Sequence, residues 1–154
     1  MQSIELAVFL PFLEFALFAL LAMVLHELGH LVTARVLGVK VHRVGVCLKG
    51  IYILREAGAP EQNIRISMAG PLVNVLLLAL WPVAPLFAMA NLLCAASNLL
   101  PLPGTDGYRI MTLAQGMREA QTALRMRRAI AELERRPVVM MPSERCEATM
   151  NPAA

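Results

Sequence analysis

The sequence predicts an all-α membrane protein. It would have a three-span helical core, a small cytoplasmic β-hairpin or sheet between the first two spans, and a basic C-terminal helix. Three observations predict this. The 154 residues are 58% hydrophobic and 16% charged, with a mean hydropathy of +0.61; soluble domains run near half apolar and a quarter charged. The apolar residues gather into three long stretches. All 14 Lys and Arg fall in two blocks, Arg35–Arg65 and Arg109–Arg145.

The first stretch, about residues 6–34, contains Glu14, His26, Glu27 and His30 as its ionisable exceptions. It lacks the basic n-region of a signal peptide, because no Lys or Arg precedes Arg35. We therefore expect a retained helix, starting near Pro11, which suits a first helical turn. The second stretch runs from Ile66 to Trp81 and the third from Val83 to Leu102. Pro82 alone separates them, which predicts a helical hairpin with a short turn. Three crossings put both basic blocks on one side. The positive-inside rule makes that side cytoplasmic and the N-terminus external. The net charge of +3 thus reads as membrane orientation; nucleic-acid binding has no aromatic or motif support and is not expected.

Between the first and second stretches, Val39–Val41, Val44–Leu48 and Ile51–Leu54 are β-rich, with Lys49-Gly50 as a tight turn. After Asp106 the pattern is helical to about Arg136, where Pro137 stops it, and from Val138 a loose tail is expected. That divides the chain into a core over 1–110 and a basic helix with tail over 111–154. The helix carries a patchy apolar face (Met117, Leu124, Ile130, Leu133) beside its arginines, as a helix lying on anionic lipid would. Cys47, Cys94 and Cys146 are scattered and odd in number, so neither a disulfide framework nor a CxxC metal ribbon is expected.

The chemistry gathers at His26-Glu27-Leu28-Gly29-His30. Residues four apart share one helix face, so both imidazoles can grip one metal. Glu27 then approaches a water beside it, the HExxH arrangement of zinc hydrolases. Two histidines merely satisfied by hydrogen bonds would be the plain explanation in a soluble helix. In an apolar span, ionisable groups are costly and have a functional reason to be there. A catalytic zinc takes three protein ligands. The third is either His42, in a basic β stretch, or Asp106, the sole aspartate. Depth favours Asp106, since the first and third spans both reach their polar residues near the cytoplasmic side. Asp106 could instead be an N-cap for a helix from Gly107. Gly70-Pro71 reads either as a helix opening or as a break that lets substrate approach. Asn74 is either a buried polar group bonded across helices or a catalytic amide holding the scissile backbone or its oxyanion. Asn91 and Asn98 carry the same two readings.

These motifs resemble the site-2 protease type of intramembrane zinc metalloprotease. The HELGH run continuing to Ala34 and Gly38 resembles that family's HExGH helix. Ala69-Gly70-Pro71-Leu72-Val73-Asn74 is similar to its middle-span motif, and Asn98–Gly107 to its N-x-x-P-x-x-x-x-D-G element. The resemblance covers roughly residues 21–110 and extends to the core alone, without further spans and without a PDZ or CBS domain. Thr105 stands where the family usually has leucine. The resemblance implies one Zn2+ per chain held by His26, His30 and Asp106, with Glu27 as the catalytic carboxylate. It implies a zinc endopeptidase whose site opens to the cytoplasm and whose substrate is a transmembrane protein or peptide in the lipid bilayer. A homo-oligomer or a regulatory partner is compatible with it. The alternative expectation is a non-proteolytic zinc-bearing membrane protein that binds a partner helix or peptide.

Overall fold

The computed structural model describes residues 2–47 and 50–135. The chain forms two compact units, residues 1–119 and 120–154. Among the described residues the first unit holds α1 (Gln2–Val36), β1 (Val41–Cys47), β2 (Gly50–Arg55), α2 (Pro60–Leu77), a short 3-10 turn (Leu78–Leu80), α3 (Pro85–Leu99) and the start of α4 (Asp106–Arg135). The second unit carries the remainder of α4. There Leu124, Met126, Ile130 and Leu133 are exposed beside the arginines.

The helices depart from the expected bounds for local reasons. The first does not start at Pro11 but runs through it from Gln2. The second begins six residues early: Pro60 occupies its first turn, and Gln62 Oε1 accepts from the Ala59 N–H at 2.9 Å, closing the N-terminus. The expected opening at Gly70-Pro71 is absent; α2 is continuous, with Pro71 inside it. Because Pro71 lacks an N–H, the Ser67 carbonyl is released from its helical bond. The third helix is shorter than Val83–Leu102. Pro85 sets its start, and Pro101 forces Leu100 into an extended conformation (φ −60°, ψ 137°), which ends it after 15 residues. The hairpin at Pro82 is present as the 3-10 turn and the turn that follows.

β1 and β2 pair antiparallel, from Cys47 opposite Gly50 to Val41 opposite Arg55, with an irregularity at His42. The expected Lys49 turn and the Val138 tail lie outside the described residues. A small cluster of Ala34, Val39 and Ile66, with Leu37 and Val41 against it, ties the sheet to α1 and α2.

Helix packing in this unit rests on small residues. Ala22, Ala34, Ala69, Ala88, Ala90 and Ala95 are buried, whereas Phe9, Phe12, Leu17 and Leu20 point outward. Small interfaces let backbones approach, as in membrane bundles. Gly29 shows how closely: a Cβ there would lie 2.9 Å from both the Ala69 carbonyl oxygen and Val73 Cγ2. Among the described residues, two segments are long and apolar enough to cross a membrane, Phe9–Val36 and Pro60–Leu80. Only 11% of the Phe9–Val36 window is buried inside the protein, so it is not built as the core helix of a soluble fold.

Gly29→Val should therefore force α1 and α2 apart. A thermal-unfolding series in detergent should show a loss of about 1–3 kcal/mol, whereas a valine at exposed Leu28 should leave the midpoint nearly unchanged.

Candidate metal centre

His26 and His30 leave one face of α1 a single turn apart, their ring centroids 4.7 Å from each other and their planes at 85°. Each ring is fixed from behind. His26 Nδ1 lies 2.9 Å from Asn74 Oδ1, and His30 Nδ1 lies 2.6 Å from the Ile66 carbonyl. Asn74 is fully buried, and its Nδ2 donates to the Ala22 carbonyl at 3.3 Å and to Asn91 Oδ1 at 3.1 Å. That orients the amide with its oxygen toward His26. Asn91 is anchored in turn by donating to the Phe87 carbonyl at 2.8 Å. Both Nδ1 atoms thus face pure acceptors and must donate. In a neutral imidazole this leaves Nε2 as a lone pair.

The two Nε2 atoms converge on each other at 3.1 Å, and each lies 3.1 Å from Asp106 Oδ2. His26 and Asp106 are 2% and 7% exposed, so water does not separate these groups. Three lone pairs so close repel one another unless positive charge sits among them. One proton bridges one edge of the triangle; a metal ion serves all three corners. Two imidazole nitrogens and one carboxylate oxygen are a zinc donor set. Donors at ~2.0–2.1 Å from a tetrahedral zinc stand roughly 3.3 Å from one another, close to the separations here. Burial alone raises the Asp106 carboxyl, but hydrogen bonding with His26 and His30 outweighs it and holds the group down to about 2. Asp106 is then ionised whichever cation is present.

Local sequence explains how Asp106 reaches the site. Pro101 breaks the chain after α3, and Gly104 turns it with a φ of +98°, a conformation that favours glycine. Thr105 then caps α4: its Oγ1 accepts the Tyr108 N–H at 3.3 Å. Asp106 is therefore the first residue of α4 rather than its N-cap, and its carboxylate is left for the histidines. Gly70 completes the cradle. A Cβ on it would lie 2.7 Å from His26 Nε2 and closer still to His30 Nε2, so α2 can press against the imidazoles only with glycine there.

Donor atoms of His26, Glu27 and His30 all lie within 4.8 Å of one another, a group able to hold a metal. Glu27 lines a cavity of about 340 Å³ together with both histidines, Asp106, Asn98 and residues of β2. His42 does not join them; it lies 3.4 Å from Glu56 on the exposed sheet. Asn74 also differs from an oxyanion donor. Both of its amide hydrogens are used inside the helix bundle, which leaves none for a substrate. Asn98 does reach the cavity wall, while donating to the Cys94 carbonyl at 3.0 Å. Sequence reasoning did not find the Ile66 carbonyl or the packing role of Gly70. A backbone acceptor has no sequence signature, and Gly-Pro reads more readily as a break.

No family model matches the chain. It is similar to a protein named zinc metalloprotease MJ0392 from Methanocaldococcus jannaschii, with 33% identity over 104 residues. The match takes in 58% of this chain and 31% of that relative, so the chain spans under a third of the relative's length.

Two substitutions away from the donor atoms test the cradle. Asn74→Ala should weaken zinc affinity about 10–100-fold, because it releases the His26 ring. Gly70→Ala should displace both imidazoles and lose more. Competition titration with a chromogenic chelator measures both.

Proposed function

We propose that the chain is a zinc-dependent endopeptidase of the site-2 protease type, hydrolysing peptide bonds of membrane-embedded or membrane-adjacent substrates. The observation that carries this reading is the convergence of three metal-donor atoms at 3.1 Å with Glu27 beside them. The relative's name, zinc metalloprotease, supports the same chemistry.

His26, His30 and Asp106 would hold the ion. A bound zinc supplies Lewis acidity, acidifying water and polarising a peptide carbonyl. Glu27 takes the proton of the attacking water and returns it to the leaving amine nitrogen. Asn74 and the Ile66 carbonyl keep the imidazoles in the tautomer that presents Nε2. They act as positioning groups, and their partners orient them in turn.

The membrane reading draws on α1. Its outward apolar side chains would be costly in water and are at home in lipid. At 1.5 Å per residue, His26 stands roughly 25 Å along the helix from Phe9, near the far face of a ~30 Å hydrocarbon layer. With α3 as a third, short crossing, the basic loop and tail share the cytoplasmic side. Water then enters through the cavity, which reaches the Gly104 turn. A helical substrate hides its carbonyls in hydrogen bonds and must unwind before attack. β2 offers it an alternative. Ile51, Tyr52 and Ile53 line the cavity, and among the described residues β2 is paired on one edge only. An extended segment can pair along the other.

Glu27→Gln should retain zinc and lower cleavage by about 10²–10⁴-fold, read as a membrane precursor that accumulates in cells carrying the variant. Undiminished processing by Glu27→Gln would exclude the proposed mechanism.

A further inference from the structure

The cavity beside the metal centre is also walled by two arginines, Arg55 at the end of β2 and Arg109 in the first turn of α4. Arg55 is half-buried. Its Nη1 donates to Asn63 Oδ1 at 2.6 Å and to the Glu56 carbonyl at 3.3 Å. Asn63 is itself tied down by donating to the Gly58 carbonyl at 2.7 Å. Both acceptors are neutral, and among the described residues most of the five guanidinium donors are left for a ligand. The neighbouring Glu56 carboxylate lies against His42 instead. Among the described residues, neither Arg55 nor Arg109 makes an ion pair with a carboxylate. Burial, and then the proximity of Arg109, make Arg55 less willing to carry its proton than an ordinary arginine. Two like charges on one cavity wall, neither of them ion-paired among the described residues, favour the arrival of an anion.

We propose that Arg55 and Arg109 form a carboxylate-binding subsite that selects peptide substrates carrying an acidic group beside the scissile bond. This rests on the hydrolase reading, which makes the cavity the place where the peptide lies. A cavity of about 340 Å³ accommodates a short stretch of chain. The planar guanidinium fork matches a carboxylate in two parallel hydrogen bonds, which an amide cannot reciprocate. Arg55 ends the strand whose edge would pair with an extended substrate, so strand pairing and charge recognition would fix the same register. Arg109 also lies within electrostatic reach of Glu27, which ties the subsite to the neighbourhood of the reacting bond.

The test uses the full zinc-loaded chain in phosphatidylcholine vesicles, whose surface carries no net charge. Synthetic apolar peptides differ only in Asp, Asn or Lys at single positions along the segment. A second pair ends in a free carboxylate or an amide, which separates a side-chain from a terminal acid. Cleavage is followed with the native chain, and binding with Glu27→Gln. At one or more positions the native chain should prefer the acidic peptide over its amide by at least about tenfold. Arg55→Glu should turn that preference toward Lys, and Arg55→Lys should keep its direction. Each ratio is taken within one protein, so partial misfolding or metal loss cancels. Should Arg55→Glu fail to fold, the native ratios and Arg55→Lys still decide. Cleavage of Asp, Asn and Lys peptides at equal rates overturns the subsite and leaves the hydrolase standing. Charge-selective binding without cleavage of any peptide supports the subsite and removes the hydrolase.

Discussion

The constraint on which the structure depends is the convergence of three lone pairs in a buried place. Two imidazole nitrogens and a carboxylate oxygen at 3.1 Å from one another repel unless positive charge, a proton or a metal ion, sits among them. Much of the surrounding sequence acts to hold them there. Asn74 and the Ile66 carbonyl fix the rings from behind, and Gly70 lets α2 close over them. Pro101, Gly104 and Thr105 together bring Asp106 in from the start of α4.

A polar network inside an apolar bundle is costly unless every member is satisfied. Here the chain His26–Asn74–Asn91–Phe87 crosses α1, α2 and α3, and each amide is engaged at both ends. Among the described residues no buried side-chain nitrogen or oxygen lacks a partner. Such a network gives the helix packing a direction that alanine and glycine contacts alone would not. Small-residue interfaces can slide; a hydrogen-bonded asparagine pair fixes one register. Packing and chemistry therefore share the same residues.

Much of this was legible in the sequence, and what was not has physical reasons. The spacing of His26 and His30 fixes their common face wherever a helix forms, and the apolar run around them makes a helix the natural state. The sheet was legible because β-branched runs flank a glycine. Helix bounds were less so, since Pro11 and Pro71 suit helix starts as well as interiors that neighbours stabilise. Asn74 could be read as substrate-facing or packing-facing because sequence does not say which way an amide points; the Ala22 carbonyl and Asn91 decide it. Asp106 carried a similar ambiguity; the cap at that turn is taken by Thr105. The placement of Arg55 and Arg109 on one cavity depends on how β2 lies against α1 and on where α4 starts, a tertiary fact with no local signal.

The central claim is that His26, His30 and Asp106 share one ion. X-ray absorption spectroscopy at the zinc edge, on the native chain and on Asp106→Asn, tests it most directly. One zinc per native chain is expected, in a shell of two imidazoles and light oxygen donors, with occupancy or the oxygen shell altered in Asp106→Asn. A native chain that takes up no zinc, or a zinc spectrum identical in the two proteins, would contradict it.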